Sequence, residues 1–197
     1  MHKQGREGGG QEHGAGLLSN GGLAARWHAL GEGDPVVPPA FWRVATVGIL
    51  TLIGLGVSIY LTIDHFATIP LACSDSGIVN CAKVTTSAQS YFVGIPVAVL
   101  GLCFYTVMVA VSSPWAWRAA DRRVHLLRLA LVVVGMCFAL YLVACELLII
   151  GNICLWCTSV HVITFCIFVL VVTAMPSMMG WGGPRYARTY VDEYQGT

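Results

Sequence analysis

Cysteines are the residues whose spacing could carry chemistry, and the chain has eight of them. Cys154 and Cys157 form a C-x-x-C motif. Cys73 and Cys81 form a second pair with seven residues between them. Paired cysteines can transfer electrons through reversible disulfides, because a thiolate attacks a disulfide sulfur. The other four, at positions 103, 137, 145 and 166, lie in apolar runs, where a cysteine usually behaves as a small apolar residue.

The C-x-x-C motif is predicted to lie at the start of a helix. Gly151 is expected to end the preceding helix, and Asn152 is expected to cap the next one. Cys154 then falls in the first helical turn, and Cys157 lies one turn further on the same face. The partial positive charge of a helix N-terminus favours thiolate over thiol. The motif is therefore predicted to be reactive.

The second pair lies in a segment of flexible turn formers, including Ser74, Gly77 and Asn80. A mobile loop with two thiols next to a fixed C-x-x-C favours a disulfide relay. A four-cysteine metal site and two inert bridges remain alternatives. A structural bridge between Cys154 and Cys157 would hold together a single helical turn, so the relay is preferred.

Apolar runs must position these cysteines. The chain has 197 residues, of which 56% are hydrophobic and only 11% charged, against about 25% charged in soluble domains. Since a helix needs about 20 apolar residues to cross a bilayer, four spans are predicted, at about 41–63, 93–111, 126–150 and 153–174. The predicted fold is an all-α integral membrane bundle of four helices over residues 41–175. Gly48, Gly54 and Gly56 are expected to allow close helix packing.

Charge sets the predicted orientation. Four arginines lie between or beside the second and third spans, at positions 118, 122, 123 and 128. The positive-inside rule places them in the cytoplasm, and their position between spans argues against a nucleic-acid surface. Both termini are then cytoplasmic in a cell (inner or plasma) membrane, and all four paired cysteines lie outside. Residues 1–40 are predicted to be a disordered Gly-rich tail, and residues 176–197 a short cytoplasmic tail.

Several further motifs accompany the cysteines in a fixed order: Ser58-Ile59-Tyr60-Leu61-Thr62, Cys73-x7-Cys81, Ser87, Phe92-Val93-Gly94-Ile95-Pro96, Gly101-Leu102-Cys103-Phe104-Tyr105 and Cys154-Leu155-Trp156-Cys157-Thr158. With them the chain resembles the vitamin K epoxide reductase family, including its bacterial disulfide-forming members, over about residues 45–175. Ordered cysteine pairs together with Gly-Ile-Pro and Ser87 make a much more specific pattern than a C-x-x-C alone.

The resemblance implies a bundle around a quinone of menaquinone, ubiquinone or vitamin K type, covered by the outer loop and a short helix after Cys81. It also implies roles for individual residues. Cys73 and Cys81 would take electrons from a partner, and Cys81 would link to Cys154. Cys157 would face the quinone ring, and Ser87 would assist nearby.

The chain departs from the vertebrate members at two quinone-binding positions. His161 stands where they have a tyrosine, and the second span lacks their asparagine. His161 is interpreted as a group that binds a quinone oxygen or relays a proton, with a helix-packing histidine as the alternative. Glu146 could assist proton transfer or be solvated at the interface, and Asp64 and His65 are interpreted as solvated. The missing asparagine disfavours epoxide reduction.

The predicted function is that of a membrane thiol–disulfide oxidoreductase. It would oxidise a separate thioredoxin-like protein outside the membrane, since no such domain is expected within this chain, and would pass the electrons to a quinone in support of disulfide formation. Two alternatives stay open. One is a vitamin K epoxide or quinone reductase, and the other is a thiol-based metal-binding membrane protein that uses the cysteines of the spans.

Overall fold

A computed structural model of the chain describes residues 39–67, 72–73, 77–119 and 121–179. The predicted tails therefore fall almost wholly outside the described residues, apart from residues 39–40 and 176–179. Within the described part, helices dominate and a single short hairpin is present.

Four long helices form the framework: α1 (Phe41–Ala67), α3 (Val97–Val111), α5 (Arg122–Ala144, continued by a π-helical segment, Cys145–Ile150) and α6 (Leu155–Met179). Helix α1 packs against α3 and α6, and α5 packs against the same two helices. Each long helix thus packs mainly against two others, and together they enclose a common interior. The predicted all-α membrane bundle is confirmed.

The lengths of these helices differ from the prediction at one point. Three helical segments of the described chain are long and apolar enough to cross a membrane: Phe41–Ala67, Arg122–Ile150 and Leu155–Met179. Helix α3 is apolar but has only 15 residues, a length of about 22 Å, whereas the hydrocarbon core is about 30 Å thick. Four full-length spans are therefore not confirmed.

Helix α3 begins at Val97 rather than at residue 93 because a hairpin precedes it. Strand β1 (Tyr91–Phe92) pairs antiparallel with β2 (Ile95–Pro96). The turn between them has Val93 at φ 51° and Gly94 at φ 80°. These left-handed conformations reverse the chain and cannot start a right-handed helix.

Tyr105 of α3 fastens the centre of the bundle. Its buried hydroxyl group lies 2.9 Å from Thr164 Oγ1 and donates to the carbonyl oxygen of Val160 at 3.1 Å, both on α6. On the other side its ring packs against Gly54 of α1, where a Cβ atom would overlap it. Close packing through glycine is thus confirmed for Gly54. Nothing approaches the Cβ positions of the other two predicted glycines, at 48 and 56.

Arg128 closes one end of the bundle. It is fully buried, and its guanidinium group donates to the carbonyl oxygen of Val111 at the end of α3. The same group lies 3.7 Å from the ring centroid of Trp117 in the short helix α4 (Pro114–Arg118) and 3.0 Å from His125 Nδ1. An arginine counted as a loop charge in the sequence therefore holds three helices together.

Candidate functional site

A short helix, α2 (Cys81–Thr85), lies over the turn that precedes α6. Asn80 caps α2 by accepting a hydrogen bond from the backbone N–H of Lys83 at 2.8 Å. The backbone around Asn80 pairs with that turn, since Ile153 N–H donates to Ile78 O at 2.9 Å and Asn80 N–H donates to Ile153 O at 3.1 Å. These bonds fix Cys81, the first residue of α2, beside the C-x-x-C motif.

Asn152 joins the two segments instead of capping α6, so the predicted cap is wrong. Its side-chain oxygen accepts a hydrogen bond from Lys83 Nζ, and its side-chain nitrogen donates to Ile78 O at 3.2 Å. The side chain turns towards the outer loop because both of its polar groups find partners there. The neighbouring Gly151 has φ 67° and ends the π-helical segment, which confirms the predicted break.

Cys154 takes the cap position that was predicted for Asn152. Its sulfur accepts a hydrogen bond from the backbone N–H of Cys157 at 3.3 Å, and its carbonyl oxygen accepts from Thr158 N–H at 2.9 Å. This is the geometry of an N-cap residue, with sulfur in place of the usual oxygen. The hydrogen bond from the Cys157 thiol is the main cause that lowers the pKa of Cys154 below its usual value, against the opposing effect of burial.

All four predicted redox cysteines meet in one place. Cys73 and Cys81 form a disulfide, with their Cα atoms 6.1 Å apart. Cys81 and Cys154 are both 0% exposed and belong to one buried cluster, against which Cys73 and Cys157 pack. Cys73 is partly exposed at the protein surface. The cluster therefore leads from the surface at Cys73 to the interior at Cys157.

The residue before Cys73 is held by two aromatic side chains. Ala72 N–H donates to the Tyr60 hydroxyl group, and the Trp156 indole N–H donates to Ala72 O, each at 3.1 Å. The two rings pack together with centroids 4.9 Å apart. The bond from Trp156 to the loop was not foreseen from the sequence.

A cavity of about 370 Å³ opens beneath the cluster and is lined by residues of all four long helices. This volume is within the range of small-molecule sites, about 300–1,000 Å³. Its wall is mainly apolar, and Cys157 and His161 lie on its α6 side. Ser87 lines it from the outer side, and its hydroxyl group donates to Val84 O at 2.7 Å. His65 also lines it, although the sequence suggested a solvated residue.

The cavity fits a quinone by the chemistry of its wall. Apolar side chains suit the flat, largely apolar ring of a quinone. Cys157 lines the cavity, where its thiol could donate electrons. Nδ1 of His161 is buried and has no hydrogen-bond partner among the described residues. Because buried polar atoms are normally paired, an unpaired imidazole nitrogen in the wall is suited to a carbonyl oxygen of a bound molecule.

Glu146 is the acidic residue of this cavity. Its side chain is only 6% exposed and lines the cavity, so the alternative of a solvated interfacial acid does not hold. The carboxyl group lies within hydrogen-bonding reach of the backbone N–H of Cys154. Sequence spacing alone did not show that the side chain turns inward.

Metal binding finds no support in the described part of the chain, which contains no group of three or more His, Cys, Asp or Glu side chains arranged around a metal position. Cys103 and Cys137 are exposed on the outside of the bundle, whereas Cys145 is buried. The cysteines of the spans therefore do not form a shared set of ligands.

A family model supplies an independent comparison. The model of the vitamin K epoxide reductase family matches residues 45–172, which agrees with the extent expected from the motifs. A search of curated proteins found no match to the chain. The match covers most of the chain, including both cysteine pairs, α2 and the cavity. The chain therefore belongs to the vitamin K epoxide reductase family and is a multi-pass membrane oxidoreductase with redox cysteines.

Proposed function

We propose that this protein oxidises a thioredoxin-like protein outside the cell membrane and passes the electrons to a quinone in the bilayer. Cys73–Cys81 is the pair that reacts with the partner, and Cys154–Cys157 is the pair that reacts on the quinone side. The net result is a new disulfide in the partner, and through it in exported proteins. The orientation with both termini in the cytoplasm is part of this proposal.

The observation that carries the proposal is the contact of the two pairs in one buried cluster. Thiol–disulfide exchange needs one sulfur to attack another directly. Cys81 and Cys154 lie together in one buried cluster, so electrons can pass between the pairs by direct exchange between these two sulfur atoms.

Exposure suggests the order of the exchanges. A partner thiolate attacks the accessible Cys73, its bond to Cys81 breaks, and Cys81 leaves as a thiolate. Cys81 then attacks Cys154 of the oxidised inner pair and releases Cys157. The partner's second thiol then attacks its mixed disulfide with Cys73, which completes the partner disulfide and releases Cys73. Cys73 attacks Cys81 and releases Cys154. Two electrons have then moved from the partner to the inner pair.

The final electron acceptor would bind in the cavity. A quinone bound there would accept two electrons and two protons as the inner disulfide forms again. Cys157 is the thiol that faces the cavity, and His161 is positioned to hold a quinone oxygen through its unpaired Nδ1. Ser87 contributes a hydroxyl group to the outer wall. Reduction of an epoxide is the less favoured alternative, because the second span lacks the asparagine of the vertebrate members.

The test uses the purified full chain in lipid nanodiscs with a soluble quinone analogue. Quinone absorbance is followed with a reduced thioredoxin-like protein as donor, for wild type and for Cys→Ala variants at positions 73, 81, 154 and 157. All four variants are expected to lose activity. With a small dithiol as donor, the variants at 73 and 81 are expected to retain it. Cys137→Ala is the control, because this thiol is exposed on the bundle surface.

Two results would contradict the proposal. One is the absence of quinone reduction by wild type with either donor. The other is quinone reduction that survives Cys157→Ala, because no other thiol of the C-x-x-C motif would then face the cavity.

A further inference from the structure

The backbone of α5 changes where it passes the cavity. From Cys145 to Ile150 it forms a π-helical segment, a rare irregularity that is frequent at functional sites. The wider turn places Cys145 and Glu146 side by side in the interior, while Leu148 in the same segment is 83% exposed. The segment therefore directs a carboxyl group inward from an otherwise apolar, outward-facing stretch.

Glu146 lies beside the inner cysteine pair in the wall of the cavity. Its carboxyl group is within reach of the Cys154 backbone N–H and close enough to the sulfur atoms of Cys154 and Cys157 to interact with both electrostatically. An ionisable residue at membrane depth is costly and is by default a functional candidate. The described lining residues include no Lys or Arg that would make Glu146 half of a structural ion pair.

Other groups that can exchange protons also face the cavity. They are His65, Tyr105, Cys145, Cys157 and His161. The Tyr105 hydroxyl group donates a hydrogen bond to Val160 O, so its proton is already engaged in helix packing. His161 is one helical turn beyond Cys157, on the side away from Cys154. Of the described carboxyl, imidazole and phenol groups that line the cavity, Glu146 is the one that interacts with both sulfur atoms of the inner pair.

The chemistry of the inner pair requires such a group. In the reduced pair Cys154 is the favoured thiolate, because it accepts the Cys157 backbone N–H and its pKa lies below its usual value, so the proton of the pair stays on the Cys157 thiol that faces the cavity. This proton must leave before the Cys157 sulfur can react. Transfer of the proton to Cys154 does not solve this, because the Cys154 sulfur must also be without a proton when the disulfide forms.

We propose that Glu146 carries one proton from the inner cysteine pair to the quinone. The S–H bond of Cys157 breaks, the proton goes to a carboxylate oxygen of Glu146, and the electron pair stays on sulfur. As the Cys154–Cys157 bond forms and two electrons leave the pair, the carboxyl O–H bond breaks and the proton passes to a quinone oxygen. The second proton of the reaction comes from water at the outer surface. This inference rests on the proposed function.

The first test needs no quinone. Infrared difference spectra are recorded on the full chain, freed of quinone, between the reduced and the oxidised inner pair. A signal in the carboxylic acid C=O stretching region is expected in wild type, absent from Glu146→Gln and shifted in Glu146→Asp. Asp121→Asn is the matched control, because Asp121 lies in the loop before α5 and its capping bond to Arg123 N–H is open to asparagine. A signal that persists unchanged in Glu146→Gln would overturn the proposal.

The second test measures a single turnover of quinone reduction with a small dithiol, which bypasses Cys73 and Cys81. Glu146→Gln is expected to slow it by about a hundredfold or more, with a solvent deuterium isotope effect that differs from wild type. Glu146→Asp should recover most of the rate, since it keeps the carboxyl group. A rate for Glu146→Gln within about twofold of wild type contradicts the proposal.

The two tests separate failure of the inference from failure of the proposed function. If wild type reduces quinone while Glu146→Gln keeps both its rate and its infrared signal, only the role of Glu146 is lost. If wild type does not reduce quinone, the proposed function is lost. Should Glu146→Gln fail to fold, Glu146→Asp decides, because an unshifted infrared signal in that variant excludes Glu146 as the carrier.

Discussion

The indole N–H of Trp156 donates a hydrogen bond to the carbonyl oxygen of Ala72 at 3.1 Å. This bond connects the middle of the C-x-x-C motif to the residue that precedes Cys73. The outer disulfide is thus attached to the helix that carries the inner pair, and it can reach a partner only as far as this attachment permits. The geometry makes Trp156 a candidate restraint on the outer loop.

Replacing Trp156 with phenylalanine should loosen that restraint. The variant keeps a ring against Tyr60 and loses one hydrogen bond, which is worth about 0.5–1.5 kcal/mol, so the loop should open about two to ten times more often. The expected result is a correspondingly faster reduction of Cys73–Cys81 by a water-soluble phosphine. Trp115→Phe is the control, since Trp115 is exposed in α4. An unchanged rate of reduction would show that Trp156 does not restrain the loop.

The cap position of Cys154 predicts an unusual pH dependence. Because the pKa of Cys154 lies below its usual value, the thiolate should persist at pH values where an ordinary thiol, with a pKa of about 8.5, is protonated. It should be lost only as the pH falls through the lowered pKa. Alkylation of Cys154 by iodoacetamide, followed by mass spectrometry across pH, measures this midpoint.

Cys157→Ala tests the cause of that lowering. The variant removes the thiol that donates to the Cys154 sulfur and leaves the backbone N–H in place, so the midpoint should move up. The outer loop limits access to Cys154 equally at all pH values and leaves the midpoint unaffected. A midpoint that does not move would assign the lowered pKa to the helix terminus alone.

Asn152 should control how well the two pairs are aligned. Asn152→Ala removes the bonds to Lys83 and to Ile78 O, which are worth about 0.5–1.5 kcal/mol each. In a background of Cys73→Ala and Cys157→Ala, Cys81 and Cys154 are the two redox cysteines that remain, and their mutual disulfide is identified by mass spectrometry of the linked peptides. We expect its yield under mild oxidation to fall severalfold with Asn152→Ala. Ser159→Ala serves as a control, because its hydroxyl group bonds only within α6. Equal yields would show that backbone pairing alone aligns the sulfurs.

Gly54 should be intolerant of a side chain. A Cβ atom there overlaps the ring of Tyr105, and overpacking of this kind costs about 1–3 kcal/mol. Gly54→Ala should therefore lower the temperature of thermal unfolding in detergent. Gly56→Ala is the matched control on the same helix, because nothing approaches its Cβ position. Equal unfolding temperatures for the two variants would contradict the packing described for Tyr105.

The sequence predicted the elements that depend on local pattern. Apolar runs located the helices, Gly151 marked the break before α6, and ordered motifs identified the family. The start of α3 was missed because the left-handed turn at Val93 and Gly94 lies within an apolar run, where composition does not distinguish a hairpin from a helix.

Side-chain direction could not be read from spacing. Asn152 has the composition of a helix cap, yet partners on a distant loop decide where it points. Glu146 turns inward because the backbone becomes π-helical there, and nothing in Cys145–Ile150 signals this change. Arg128 was counted as a loop charge because its burial depends on Trp117 and Val111, which the chain brings to it only after folding.

Cys154 is at once a reacting sulfur and the cap of α6, and this double role joins chemistry to helix stability. A thiolate is a strong acceptor for the Cys157 N–H, whereas a sulfur in a disulfide is a weak one. Oxidation of the inner pair therefore weakens this hydrogen bond but adds a covalent bond between Cys154 and Cys157 across the same turn, and reduction reverses both changes. Because Trp156 in that turn also bonds to Ala72 O, the turn that changes with the redox state of the inner pair is the one that holds the residue next to Cys73.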